Sequence, residues 1–287
     1  MIIWLASYPK SGNTWLRFFI ISLLAGDKDN INLSHLKAIT SFPTKSQFEG
    51  LVKDFKSLVE VAKNWQIAQK KINFDKKIRF LKTHNMLNRY KNSFFTDNEN
   101  TLGTIYIARD PRNIITSLKN HFSYTEYDEA KKFLFNENQA IVLSNSQEKK
   151  IKDQDNFQLP QFVGSWQTHY KSWKNMKKNL LLIKYENLIK TPDLEFVKIA
   201  KFLEKMLKIR FTKEQIEKSI YLSSFDKLQK MEEKKGFIES TENKLTGQKN
   251  KFFYLGPKND WRKILDKEIA DEISSRFEPE MKELGYL

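Results

Sequence analysis

Near the start of the chain, six residues suited to a buried strand, Ile2-Ile3-Trp4-Leu5-Ala6-Ser7, give way to Tyr8-Pro9-Lys10-Ser11-Gly12-Asn13-Thr14. An apolar, aromatic run then resumes at Trp15-Leu16. The short continuous run predicts a strand over 2–7. Trp15, Leu16, Phe18, Phe19 and Leu23 predict a helix over 14–24, which Thr14 or Asn13 can cap. A strand and a helix joined by such a turn leave little freedom. The first N–H groups of the helix lack helical partners and carry the positive end of its dipole, so the turn favours an anion. Gly12 lets the backbone approach that anion, Ser11, Asn13 and Thr14 add donors, and Lys10 adds full charge. The pattern GxxxxGK[ST] is not met, because its first glycine is missing and the lysine precedes the glycine. This is a phosphate turn of another type or, read plainly, a capped junction with an exposed lysine.

The same arrangement recurs. A second strand over 78–82 ends at Thr83-His84, a third over 102–108 ends at Arg109-Asp110-Pro111, and a fourth over 180–184 ends at Tyr185-Glu186. Pro111 suits the first turn of a helix over 111–121. Loosely patterned helix is predicted over 45–71. Clearer helix is predicted over 163–178 and through much of 192–234, with a last amphipathic helix over 263–284 using Ile264, Ile269, Ile273 and Phe277. Short strands separated by helices predict an α/β fold, a three-layer sandwich with a largely parallel central sheet and a P-loop-NTPase-like phosphate loop. In such folds a ligand sits outside the carboxyl ends of the strands. Lys10, His84, Arg109 and Tyr185 all lie at such ends.

The 287 residues suffice for one core with an elaborated side region, read here as a single domain over 1–287. Residues 120–165 are polar and irregular and predict a lid or insert over an acceptor, with Phe122, Tyr124, Tyr127, Phe133 and Phe135 as wall or core. Residues 235–260 predict a mobile cofactor loop. The net charge of +15 suits nucleic acid, an anionic surface or a small polyanion. No nucleic-acid motif appears, so nucleic acid is not expected as the partner. No apolar run is long enough for a signal segment or a membrane span, and a cytoplasmic protein is expected. With no cysteine, thiol chemistry and disulfides are excluded. His35, His121 and His169 form no metal-ligand pattern; His121 is expected on a helix surface and His169 in helix packing, and no metal is expected.

Period-two alternation puts Lys82 and His84 on one side if the second strand continues that far. A neutral histidine can take a proton from an alcohol near pH 7, and a lysine beside it can stabilise charge on a transferred group. The plain alternative is a surface histidine beside a solvated lysine. Arg109 offers a fork suited to phosphate, and Ser117 lies two turns inside the following helix. A surface Arg–Asp pair is the alternative there.

Taken together, these segments resemble the sulfotransferase family that uses 3'-phosphoadenosine-5'-phosphosulfate (PAPS). YPKSGNTW is similar to its 5'-phosphosulfate loop and RDPRNIITS to its 3'-phosphate segment. KTH is similar to its lysine and catalytic histidine, GSWQTHYKSW to its GSWxxHxxxW helix, KYENL to its YED segment and SSFDKL to its TSFxxM segment. The resemblance spans nearly the whole chain. It implies that Lys10 bridges sulfate and leaving oxygen, that Ser11, Gly12, Asn13 and Thr14 cradle the 5'-phosphate, and that Trp15 stacks on adenine. It further implies that Arg109 and Ser117 hold the 3'-phosphate, that Tyr185 and Phe225 pack at the adenine, and that His84 is the base with Lys82 assisting. The product would be 3',5'-adenosine bisphosphate, and the acceptor a hydroxyl or amine group on a small molecule or saccharide. Where the family has RKGxxGDW, this chain has Tyr254-Leu255-Gly256-Pro257-Lys258-Asn259-Asp260-Trp261, which keeps Gly256 and loses the Arg-Lys clasp. Lys249, Lys251 and Lys258 are the candidates to replace it. The family's KxxxTVxxxE dimerisation stretch is not recognisable, which leaves the oligomeric state open. Two other readings stay open at this point, a nucleotide-dependent small-molecule kinase and a nonenzymatic nucleotide-binding module.

Overall fold

The computed structural model of the chain describes residues 1–26, 30–142, 155–243 and 246–287. Four parallel strands, β1 (Ile2–Ser7), β2 (Arg79–Thr83), β5 (Thr101–Ala108) and β8 (Leu180–Lys184), form the central sheet in the order β2-β1-β5-β8. Two short antiparallel hairpins stand apart, β3 (Arg89–Tyr90) with β4 (Ser93–Phe94) and β6 (Ala140–Ile141) with β7 (Gln161–Phe162). The first strand is central, and all six of its residues are buried. Its alternation divides the core. Ile2, Trp4 and Ala6 pack on one face with Phe42, Trp65, Phe95 and Trp173. Ile3 and Leu5 pack on the other with Leu16, Phe19, Phe196 and Ile199. Burial on both faces explains why this strand is apolar throughout. Each such large side chain contributes about 1.5–3 kcal/mol.

Pairing aligns the strand ends. Ala6 lies opposite Thr83, Ser7 opposite Ile107 and Ala108 opposite Lys184. The residues that follow each strand therefore emerge along one edge of the sheet. The segment 45–71 holds three short helices, Lys45–Phe48, Leu58–Lys63 and Trp65–Ile72. The insert 120–165 holds the helix Tyr127–Phe135 and the β6–β7 hairpin; its residues 143–154 lie outside the described residues.

Two expectations are corrected. Neither Thr14 nor Asn13 caps the first helix, Asn13–Ala25. Gly12 takes the N-cap place at φ 103°, with no side-chain cap. Asn13 turns back to the sheet instead, its Nδ2 donating to the Leu5 carbonyl (2.8 Å) and to Ser7 Oγ (3.2 Å). The last helix is not continuous but falls into Trp261–Ile264, Lys267–Arg276 and Glu278–Glu283. Pro279 lacks the N–H that would continue the ladder, and Leu265 is extended. Ile273 and Phe277 are buried as expected, whereas Ile264 and Ile269 are only half-buried. Among the described residues, no helix is long and apolar enough to cross a membrane.

Candidate active site

The aligned strand ends border a cavity of about 1270 Å³. Lys10, Gly12, Asn13, Thr14 and Trp15 line it from the first turn, Lys82 and His84 from the second strand end, Arg109 and Ser117 from the third, and Tyr185 from the fourth. Phe225 and Gly256 line it from the C-terminal part. Of the residues assigned to catalysis or the cofactor from the sequence, Ser11 alone does not line it. Ser11 is buried behind the turn, its N–H donating to the Tyr8 carbonyl (3.3 Å).

The turn itself is tightly built. A Cβ on Gly12 would come within 2.6 Å of the Tyr185 ring, so only glycine fits at this φ. Lys10 also has a positive φ, 66°, and its ammonium sits 3.8 Å from the Phe252 ring centroid. Burial brings the Lys10 ammonium down to about 7, with Glu239 opposing the shift and Lys82 and Arg109 adding to it. Arg109 Nη1 donates to the Lys10 carbonyl (2.8 Å) and to Ser117 Oγ (3.3 Å), and its guanidinium lies 4.1 Å from the Tyr185 ring centroid. The eight-residue spacing of Arg109 and Ser117 thus brings both to one point.

His84 is oriented by the neighbouring strand. Its Nδ1 lies 2.8 Å from the Ser7 carbonyl, which can only accept, so Nδ1 carries the proton and Nε2 keeps its lone pair. Its backbone N–H donates to Gln161 Oε1 (2.8 Å). Burial, then the Lys82 charge, push the ring's pKa well below 6.5, so it is neutral at pH 7. Burial likewise lowers Lys82. A neutral imidazole with one free nitrogen beside a lysine is suited to take a proton from an alcohol.

Sequence reading missed several groups. Arg17, buried, donates from Nη2 to Thr14 Oγ1 (3.2 Å) and to Glu239. It lies three residues past Thr14 on the same helix face, a spacing that could have revealed it. Glu239 also accepts from Thr14 Oγ1 (3.1 Å) and lies 3.8 Å from Lys82 Nζ. Burial alone would raise its carboxyl, but the charges of Arg17 and Lys82 hold it well below the usual carboxylate range. His121 is corrected from a helix-surface residue to a lining residue of the cavity. Burial and the nearby Lys10 push it well below 6.5. His169 is packed in the core as expected, held at about 3 by burial.

The C-terminal segment is less complete. A Cβ on Gly256 would lie 2.2 Å from the Phe225 ring, so that contact is close. Tyr254 and Leu255 line the cavity where the resemblance implies an arginine and a lysine. Of the three lysines proposed to compensate, Lys249 lines the cavity, Lys251 pairs with Glu233 (3.3 Å), and Lys258 is exposed outside it. Asn259, buried, donates to the Asn113 carbonyl (2.8 Å) and approaches Ser117 Oγ (3.4 Å). The acceptor aromatics also divide. Phe122 lines the cavity, whereas Phe133 is core and Tyr124, Tyr127 and Phe135 pack against it.

Ser11 Oγ, Asn13 Oδ1, Trp15 Nε1 and Arg109 Nε are buried without a partner among the described residues. Unpaired buried polar groups are costly, and this set faces or backs one turn. With Gly12 and Lys10 they fit a phosphorylated nucleotide.

Comparison with known proteins places the chain in a family. The sulfotransferase domain family matches residues 2–285. The 3-beta-hydroxysteroid sulfotransferase of Cavia porcellus is 27% identical over 283 residues, covering 98% of this chain and 83% of its own length. The flavonol 4'-sulfotransferase of Flaveria chlorifolia is 24% identical, covering 99% and 80%. A mouse sulfotransferase, SULT7A1, solved with PAP, shares the fold at a TM-score of 0.55 and 21% identity, covering 97% of this chain and 83% of that one. Retinol dehydratase, solved with androsterone and the inactive cofactor PAP, shares it at 0.59 and 15% identity, covering 98% and 80%. The chain belongs to the sulfotransferase family, and it is a sulfonate-transferring enzyme.

Proposed function

We propose that the chain transfers a sulfonate group from PAPS to a hydroxyl group of a small acceptor, with His84 as general base. The observation that carries this reading is the convergence of Lys10, Lys82, His84, Arg109 and Ser117 from three strand ends onto one cavity. When bound, the donor supplies an activated sulfonate and a phosphate leaving group. His84 Nε2 takes the acceptor proton, while the Ser7 carbonyl fixes the ring's tautomer. Lys10, Lys82 and the N–H groups of the first helix hold negative charge at the turn, where preorganised donors count most. Tyr8 to Thr14 thereby acts as a P-loop-like phosphate loop. Arg109 and Ser117 take the 3'-phosphate, and Trp15, Tyr185 and Phe225 pack at the adenine.

The cavity is also lined by the apolar side chains of Leu33, Leu36, Ile39, Ile141, Phe157 and Leu159. Apolar walls suit a hydrophobic, flat or ring-shaped alcohol, such as the steroid and flavonol named for the relatives, better than a saccharide. Within the insert, the described residues Phe122, Ile141 and Phe157 border the acceptor as a lid, and within 235–260 the described residues Phe252 to Gly256 close on the nucleotide. A cytoplasmic location is part of the same proposal, and cell fractionation tests it.

Titration calorimetry tests the donor assignment. Adenosine 3',5'-bisphosphate is expected to bind at micromolar Kd, and ADP far more weakly, because Arg109 and Ser117 have nothing to hold on ADP. Equal binding of the two would remove the 3'-phosphate assignment. Sulfonate transfer to a panel of phenols and sterols then identifies the acceptor class.

A further inference from the structure

Among the described residues, two carboxylates line the cavity, Asp155 and Glu239. Asp155 faces Lys45 at 3.9 Å. Glu239 instead stands among the cations of the anion turn, taking the Thr14 hydroxyl, the Arg17 guanidinium and, at 3.8 Å, the Lys82 ammonium. Thr14 and Lys82 are two of the groups assigned to the donor in the proposed function, on which this inference rests. One carboxylate thus holds donors that an incoming phosphosulfate needs.

We propose that Glu239 is an internal counter-anion, standing in for the donor's 5'-phosphosulfate in the free protein, and that it releases Thr14 and Lys82 when a 5'-phosphate binds. Arg17 then becomes a further positioning residue for the phosphate. Its buried Nε has no partner among the described residues and is left to meet an oxygen. The surroundings of Glu239 suit such a release. Phe237 is buried against Phe252 and Phe253, and Thr241 Oγ1 donates to the His121 carbonyl. Between these two anchors Ile238 is 77% exposed, so Glu239 moves without opening the core. In the free protein the carboxylate keeps the buried Arg17 and Lys82 from standing unpaired. That pairing costs some affinity for the donor, which must displace it.

The test compares the parent chain with Glu239→Gln by calorimetry with adenosine 3',5'-bisphosphate. The variant is expected to bind about ten-fold more tightly, to melt lower without ligand and to gain more in melting temperature when the bisphosphate is added. Equal or weaker binding by a folded Glu239→Gln overturns the proposal. Should that variant fail to fold, Glu239→Asp keeps the charge but shortens the reach. It too is expected to bind more tightly than the parent, and equal or weaker binding by it overturns the proposal. A second readout uses the absence of cysteine. A spin label on Ile238→Cys is a single label, and its mobility is expected to change when the bisphosphate saturates the site. An unchanged spectrum overturns the release. If no form binds the bisphosphate, the donor assignment itself fails and the proposal with it, an outcome distinct from equal binding by all.

Discussion

Two segments border the nucleotide end of the cavity, and they are held in opposite ways. The turn after β1 is pinned between a strand buried on both faces and a helix whose inner face is core. Gly12 is locked against Tyr185, and the Lys10 carbonyl is held by Arg109. Among its described residues, the segment from Gly236 to Trp261 has little regular structure and is tied to the rest of the fold mainly by side chains. Glu232 accepts from the N–H groups of Phe252 and Phe253 (2.7 and 2.8 Å), and Gln229 donates to the Phe253 carbonyl (2.8 Å). A cradle made of backbone geometry tolerates few substitutions. A clasp made of side chains can lose its arginine and lysine to Tyr254 and Leu255 while the fold persists. The difference teaches that the anion turn is set by the sheet, whereas the C-terminal segment depends on its side-chain ties.

The largest expected effect tests the chemistry both segments serve. His84→Ala should lower turnover by about 10²-fold or more while bisphosphate binding stays nearly constant, from the usual contribution of a general base. Steady-state kinetics beside calorimetry check this, and near-parental turnover would remove His84 from its role.

Gly12→Ala probes the rigid side. The strained φ should cost about 1–3 kcal/mol of stability, before the clash with Tyr185 is counted. Urea denaturation measures it. A loss under about 0.5 kcal/mol would mean that the turn is less fixed than its geometry implies.

Ser117→Ala should weaken the bisphosphate by about ten-fold relative to adenosine 5'-monophosphate, in keeping with loss of a hydrogen bond to a charged group. Parallel loss for both nucleotides would move the 3'-phosphate elsewhere. On the side-chain-built side, Tyr254→Arg with Leu255→Lys should tighten the bisphosphate by a smaller factor, about three- to ten-fold. No change would show that Lys249 or the Arg109–Ser117 pair already meets the need.

The smallest effect is in protons. In the free protein Lys10 has a pKa of about 7, lowered by burial, so it is largely neutral above that pH. An anion at the turn raises that value. Binding above pH 7 should therefore take up a proton, approaching one per site, and affinity should fall as pH rises from about 7 toward 9. Calorimetry in buffers of different ionisation enthalpy counts it, and a pH-independent affinity with no uptake would contradict the buried state of Lys10.

Most of the site was legible because its residues lie beside strand ends. Lys10, His84, Arg109 and Tyr185 each follow a strand whose alternation or apolar run marks it. Parallel pairing then brings those ends to one edge. The cap on the first helix was not legible, because Asn13 and Thr14 are both good caps and their actual partners are tertiary. Asn13 serves the sheet, and Thr14 serves Glu239. The break at Phe277 could have been read from Pro279, but the apolar periodicity through Ile273 and Phe277 outweighed it.

By itself, the sequence determined a parallel α/β sheet, an anion-holding turn and the residue types able to transfer a charged group. Those features are local, since periodicity and turn chemistry are properties of neighbouring residues. Only the tertiary structure decided which polar groups share the cradle. Glu239 reaches Thr14 across 225 positions and His84 reaches Ser7 across 77. Contacts at such separations leave no pattern in the chain, because they arise from how the layers pack and not from any repeat along it.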